Sequence, residues 1–294
     1  MLGAEAVLID SEALDDGLPV SFEDGRAIYR GDCLDDLRGF YLRYTPSTTP
    51  PCIERDGELV LYEDWFTQYM HQRERSSLYL AWLLTLQRSG AALVNPPHAG
   101  SVYQFKPFQL DALRSLGARV PRTLISNDPG AVRAFHALHK DVIFKPVMGG
   151  AITRALDDEA LAELEKVIVS PVIFQERIEG DDLRVMLAGD DIVSSVAIRT
   201  PAQQLDFRAD PVYSSGDAAY EEVELPADVA AFCRKAARAC GLSFAGIDIK
   251  RTATEWVFLE LNSSPIYLDV EVKLGHPITR ALARLVVEGA RAAG

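Results

Sequence analysis

Asp248 and Glu260 are the residues best placed to do chemistry in this chain. They stand in two strand-like runs, Ala245-Gly246-Ile247-Asp248-Ile249 and Val257-Phe258-Leu259-Glu260-Leu261-Asn262, among apolar neighbours where bare carboxylates are costly. If Arg251 to Glu255 make the turn, its centre falls near Thr254 and the two acids come out directly opposite each other. Like charges opposed across a sheet destabilise it, by roughly 1 to 4 kcal/mol at close range depending on screening. A divalent cation would turn that cost into binding. Asn262 lies two residues beyond Glu260 and so faces the same side. Two carboxylates and an amide oxygen suit Mg2+, a hard ion that usually shares its shell with nucleotide phosphates. The competing reading is the solvated face of a half-buried hairpin, and the pattern alone does not separate the two.

Other candidates are weaker one by one. Phe144-Lys145-Pro146-Val147-Met148-Gly149-Gly150 ends a strand with a cation and a glycine pair, which lets backbone N–H groups approach phosphate oxygens. The tract is neither a Walker A loop nor a Rossmann fingerprint, and an ordinary strand-end lysine reads as well. Lys106 has aromatic neighbours, Tyr103, Phe105 and Phe108, which fit partial burial or simple snorkelling. Gln175-Glu176-Arg177-Ile178 leaves an apolar strand for a polar turn, where backbone groups can meet a flat heterocycle and Asp182 can accept from ribose hydroxyls. Arg184, Arg199 and Arg208 stand in strand-like settings; arginines on one sheet face clamp phosphoryl oxygens and carboxylates, or pair with acids such as Asp206. The five histidines have no catalytic or metal spacing, and no nucleophile elbow is present.

The elements that must position these residues follow from pattern and punctuation. The chain has 294 residues, enough for two or three lobes with buried cores, and 48% hydrophobic residues with near-zero mean hydropathy fit a globular protein. A net charge of -13 argues against a general nucleic-acid or membrane-surface binder. No apolar run reaches spanning length, no secretory signal is expected, and the four cysteines have no zinc or redox spacing, which fits a reducing cytoplasm. Residues 1–95 read as a small α/β domain. It has strands at Ala6-Val7-Leu8-Ile9 and Phe40 to Tyr44 and a long helix from near Asp64 to Ser89, with Trp65, Tyr69, Leu80, Leu83 and Leu84 as its apolar face. Asn95-Pro96-Pro97 marks the first boundary. A central lobe, 96–172, holds helices near Pro107–Leu116, after Asp128-Pro129, and from Asp157 to Val167, with a strand at Val142-Ile143-Phe144. A C-terminal lobe, 173–294, holds a hairpin of Leu183–Leu187 with Ile192–Ile198, a helix from Pro226 to Gly241 and a final helix from Pro277.

Taken in order, Lys106, Lys145 with its glycines, Gln175-Glu176-Arg177-Ile178, Asp182-Leu183-Arg184, Asp206-Phe207-Arg208, Asp248 and Glu260-Leu261-Asn262 resemble the ATP-grasp superfamily over roughly residues 94–290. The series from Asp206-Phe207-Arg208 to Glu260-Leu261-Asn262-Ser263-Ser264-Pro265 is similar to the ribosomal-protein glutamate ligase branch. The stretch Lys106-Pro107-Phe108-Gln109-Leu110 through Asp128-Pro129 looks more like microviridin-type graspetide synthetases, which close esters or amides in ribosomal peptides.

The resemblance implies an α/β protein whose two α+β lobes grip ATP, preceded by an N-terminal α/β domain. By that resemblance Lys106 and Lys145 hold ATP phosphates; Gln175, Glu176 and Ile178 meet adenine, partly through backbone; Asp182 holds ribose. Asp248, Glu260 and Asn262 bind one or two Mg2+, with Mn2+ as the substitute ion. Arg184 and Arg208 stabilise the transferring phosphoryl group and the acyl phosphate. The implied activity is an ADP-forming carboxylate–amine or carboxylate–hydroxyl ligase with a peptide or amino acid acceptor. A ligase for a free amino acid or small metabolite and a non-catalytic ATP-binding regulatory module are the other readings; homo-oligomerisation stays open. The chain departs from the graspetide pattern after Asn262, and Ile266 stands where the glutamate ligase branch carries glycine. Both departures lie where such enzymes shape the acceptor pocket.

Overall fold

The computed structural model describes residues 3–9, 20–34, 37–43, 52–55, 58–61, 63–148, 151–200 and 205–292. The chain divides into two compact units, residues 1–100 with 283–294, and residues 101–282.

In the first unit, β1 (Val20–Glu23), β2 (Arg26–Tyr29) and β3 (Asp32–Cys33) form an antiparallel sheet. β4 (Gly39–Tyr41) pairs in parallel with a later strand, and β5 (Cys52–Arg55) with β6 (Glu58–Leu61) makes a hairpin. Helix α1 (Trp65–Arg88) follows, then β7 (Ala92–Val94), the partner of β4, and the short α2 (Pro97–Gly100). The buried stripe of α1 differs from the expected one. Tyr79, Trp82, Leu83 and Leu86, at i, i+3, i+4 and i+7, join a core with Ala27, Tyr29, Phe40 and Leu93. Phe66, Leu80 and Leu84 stay exposed, outside the stripe that joins this core. Ala6-Val7-Leu8-Ile9 is not a strand; Val7 and Leu8 lie open to solvent. A four-residue apolar run names no pairing partner, and here it has none among the described residues. Tyr44 lies outside the described residues.

The second unit opens with a 3-10 helix at Val102–Gln104, followed by α3 (Lys106–Ser115), and holds two antiparallel sheets. The first contains β8 (Thr123–Ser126), β9 (Val142–Pro146), β10 (Arg154–Ala155) and β11 (Val172–Glu176) in the order β10-β9-β11-β8. Helix α4 (Pro129–His139) is capped by Asp128, whose carboxylate accepts from the Gly130 N–H at 2.8 Å, as expected. The helix expected from Asp157 is shorter: α5 (Asp158–Ala162) gives way to a 3-10 helix at Leu164–Val169. Under both, Val132, Val142, Leu156, Leu164 and Phe174 are buried together.

The second sheet runs β14-β13-β12-β15-β16. Its members are β12 (Asp181–Ala188), β13 (Asp191–Arg199), β14 (Ala219–Glu222), β15 (Phe244–Arg251) and β16 (Trp256–Asn262). The short α6 (Pro211–Ser214) precedes β14, and α7 (Ala227–Ala239) precedes β15. After β16 come α8 (Leu268–Leu274) and α9 (Ile278–Ala292), whose residues from 283 onward belong to the first unit. Period-two alternation gives this sheet two chemically distinct faces. Leu183, Val185, Ile247, Ile249 and Leu261 are essentially fully buried on one. Asp182, Arg184, Asp248, Lys250, Glu260 and Asn262 are aligned by the same register on the other.

Gly246 fixes the edge of that polar face. A Cβ there would lie 2.6 Å from the Pro265 Cβ, so Pro265 packs directly on the strand backbone. Gly246→Ala is expected to cost about 1–3 kcal/mol by overpacking and to displace Pro265 from beside Arg184; chemical unfolding measures the first and loss of nucleotide turnover the second.

Candidate active site

A cavity of about 300 Å³ opens on the polar face, and all eleven residues singled out by the resemblance line it: Lys106, Lys145, Gln175, Glu176, Ile178, Asp182, Arg184, Arg208, Asp248, Glu260 and Asn262. Gly149 and Gly150 lie outside the described residues.

Asp248 and Glu260 are cross-strand partners. The route to that register differs from a symmetrical hairpin. Thr252–Glu255 forms the loop, Ile249 faces Phe258, and one extra residue at Leu259 shifts the ladder so that Asp248 meets Glu260. The bulge therefore lies next to the acidic pair, on the side toward the turn, and brings Glu260 opposite Asp248.

Each acid has a cation. Lys106 Nζ, from the first residue of α3, pairs with Glu260. Arg184 grips Asp248 in two places, through Nε to Oδ1 and through Nη2 to Oδ2 at 3.2 Å. Asn262 Nδ2 donates to Asp248 Oδ2 at 3.0 Å and to Glu260 Oε1 at 3.4 Å. Burial pushes the Asp248 carboxyl up, and the facing Glu260 adds to this, against the pull of Arg184. Burial also raises Glu260, but Lys106 and Lys145 outweigh it and hold this acid below the usual range. Lys145 has no hydrogen-bond or ion-pair partner among the described residues; burial lowers its ammonium and Glu260 partly restores it. A half-buried, unpaired cationic side chain at the cavity wall is suited to a phosphate.

The expected adenine end has its own supports. Gln175 is buried and donates to Thr123 Oγ1 at 2.9 Å. The Glu176 carboxylate accepts from Arg119 at 2.6 Å and from the Arg122 N–H at 2.8 Å, so its side chain is committed to the protein. Asp182 pairs with Lys250 at 2.8 Å, and burial raises its carboxyl despite that partner.

Arg208 is not on a strand. Asp206 caps a 3-10 helix, Phe207–Ala209, by accepting the Arg208 N–H, and clasps the same residue's guanidinium at 2.9 and 2.6 Å. A tripeptide is too short for periodicity to separate the two conformations. Burial raises Asp206, but Arg208 and the Thr153 N–H bring it down to about 2. Arg199 turns away from the cavity to Asp181 and Glu221.

Sequence reasoning missed Gln109, Lys250 and Tyr213. Gln109, one turn after Lys106, is buried and plugs the open edge of β16: it accepts the Leu261 N–H at 2.7 Å and donates to Leu261 O at 3.0 Å. That pair of bonds fixes the residue between Glu260 and Asn262. The only sequence signal was a polar residue on the apolar side of a helix.

Two antiparallel sheets with a charged cavity of this make-up define an ATP-grasp protein. Residues 106–286 match the RimK-like ATP-grasp domain, and the chain belongs to that family. A probable alpha-L-glutamate ligase from Xanthomonas euvesicatoria pv. vesicatoria (strain 85-10) is 31% identical over 141 residues, 47% of this chain and 46% of the relative. The chain thus matches about half the length of such curated relatives. The ATP-grasp ligase PsnB, solved in complex with a minimal precursor, is 34% identical and superposes with a TM-score of 0.82, covering 98% of this chain and 91% of its own. The macrocyclase MdnC from Microcystis aeruginosa MRC, bound with precursor peptide MdnA, is 23% identical with a TM-score of 0.78 over 98% of this chain and 92% of its own, and shares the fold. No helix among the described residues is long and apolar enough to cross a membrane.

Proposed function

We propose that this chain is an ATP-dependent ligase that joins a carboxylate to an amine or hydroxyl within a peptide, through an acyl phosphate. The observation that carries the reading is the convergence of Lys106, Lys145, Arg184 and Arg208 with the opposed pair Asp248 and Glu260 in one cavity. The likeness to PsnB across nearly the whole chain supports a peptide substrate. The glutamate ligase relatives support a free amino acid as the second reading.

Residues 96–172 and 173–294 act as the gripping lobes. Lys106 and Lys145 bind the phosphates of ATP; the backbone around Gln175, Glu176 and Ile178 receives adenine; Asp182 binds ribose. Asp248, Glu260 and Asn262 fit Mg2+: two opposed carboxylates lie on one side of a hairpin with an amide beside them whose oxygen is a third possible donor, and a cation would relieve the repulsion between the two acids. Bound there, Mg2+ supplies neutralisation of phosphate charge. A substrate carboxylate oxygen attacks the γ-phosphorus and ADP leaves. The amine or hydroxyl then attacks the acyl carbon, phosphate departs, and the nucleophile gives up its proton. Arg184 and Arg208 hold the transferring group, and positioning with charge stabilisation replaces a protein nucleophile.

The test is incubation with MgATP and two panels, peptides rich in Thr, Ser, Asp and Glu, and free amino acids including glutamate. ADP release with peptide products lighter by one water per new bond is the expected result. Nucleotide binding without consumption across both panels would instead support a regulatory module.

A further inference from the structure

Tyr213 lines the cavity with Arg184, Arg208, Asp248 and Ile266, and nothing described so far uses it. Its placement is built. Asp210, 2% exposed, caps α6 by accepting the Val212 N–H at 2.9 Å, and Pro211 fixes the first helical position. The Tyr213 ring packs edge-on against Phe207 with centroids 4.8 Å apart, in the same short segment that carries Arg208. Its hydroxyl has no hydrogen-bond partner among the described residues. Tyr220 gives the contrast, since its hydroxyl is spent on Asp269 Oδ2 at 2.6 Å. Burial raises the Tyr213 phenol, so it stays a neutral donor.

The charges nearby are largely taken. Arg184 is bound to Asp248 and also donates through Nη1 to Ile266 O at 3.5 Å, while Arg208 is bound to Asp206. An oxyanion between the two guanidiniums gains orientation from a donor that brings no further charge and is not already engaged. The exposed Ile266 beside them gives this end an apolar border, unlike the phosphate end at Lys106 and Lys145.

We propose that Tyr213 is a substrate-contacting residue whose phenol O–H donates a hydrogen bond to the substrate carboxylate, and to the acyl phosphate formed from it, between Arg184 and Arg208. The proposal rests on the ligase reading and adds the subsite for the acid being activated.

Acetyl phosphate is the probe. With MgADP the cavity should run the first step backwards, passing the phosphoryl group to ADP to give ATP and acetate, which luminescence detects. Tyr213→Phe removes only the hydroxyl and keeps the ring against Phe207. The expected result is a fall in kcat/KM for acetyl phosphate of about tenfold, one lost hydrogen bond, with the KM for ADP and the melting temperature unchanged. Equal rates for variant and wild type would overturn the proposal, as would a parallel rise in the KM for ADP, which would make the residue merely structural. A wild-type protein that binds MgADP but forms no ATP from acetyl phosphate would also overturn it and leave the nucleotide site standing. A wild-type protein that binds no MgADP would overturn the ligase reading itself.

Discussion

Glu260→Gln is expected to stop substrate-dependent ADP release while the protein stays folded. The substitution keeps the size and one hydrogen-bond acceptor of the side chain. It removes the charge that answers Lys106 and Lys145, and one of the two carboxylates facing each other across β15 and β16. With only Asp248 left as an anionic donor, and that acid already held by Arg184, the site loses most of its hold on a hard cation. Metal neutralisation of phosphate charge contributes several kcal/mol, so a loss of about 1,000-fold or more in turnover follows, equivalent to roughly 4 kcal/mol. Coupled ADP detection gives the rate, and circular dichroism shows that the variant folds. Undiminished turnover would refute the metal assignment. Nucleotide binding should weaken less than turnover, because Lys145 and the proposed adenine end remain.

The acidic pair was legible because strand alternation is strict and the two runs flank a short polar turn. Its register came out correctly although the turn is not centred on Thr254; the loop centre lies half a residue earlier, and the bulge at Leu259 makes up the difference. A bulge has no residue-type signature in this stretch, so no pattern could have placed it. Lys106, Lys145 and Arg184 were found by type and order. Their cavity was not, since it depends on α3 presenting Lys106 toward β16, and Gln109 does that work from within the helix. Helix α1 shows the limit of periodicity in the other direction. Two stripes of large residues run along it, and only the core that takes in Trp82, Leu83 and Leu86 decides between them. Asp206-Phe207-Arg208 shows another limit: the residues line the cavity, but their conformation is set by the Asp206 cap, a local competition between side chain and backbone that period-two reasoning ignores.

Arg184→Met should produce the largest loss of stability of any single change in the cavity. Arg184 and Asp248 have side chains only 12% and 17% exposed, and the guanidinium spends two bonds on the carboxylate. Methionine keeps much of the apolar stem but leaves Asp248 buried without its partner, facing Glu260. Breaking one side of a buried pair costs about 3–5 kcal/mol, and chemical unfolding should fall in that range. The same vacancy makes a second readout. With Arg184 gone, an added divalent cation meets two carboxylates that lack one of their counter-charges, so binding to the folded state strengthens and stabilises it by mass action. Mg2+ is therefore expected to raise the melting temperature of Arg184→Met by more than it raises that of the wild type, while ADP release is expected to be lost because the group proposed to hold the transferring phosphoryl is missing. A variant that unfolds at the wild-type denaturant concentration would show that Asp248 does not depend on Arg184. Equal Mg2+ shifts in both proteins would show that the cation binds elsewhere.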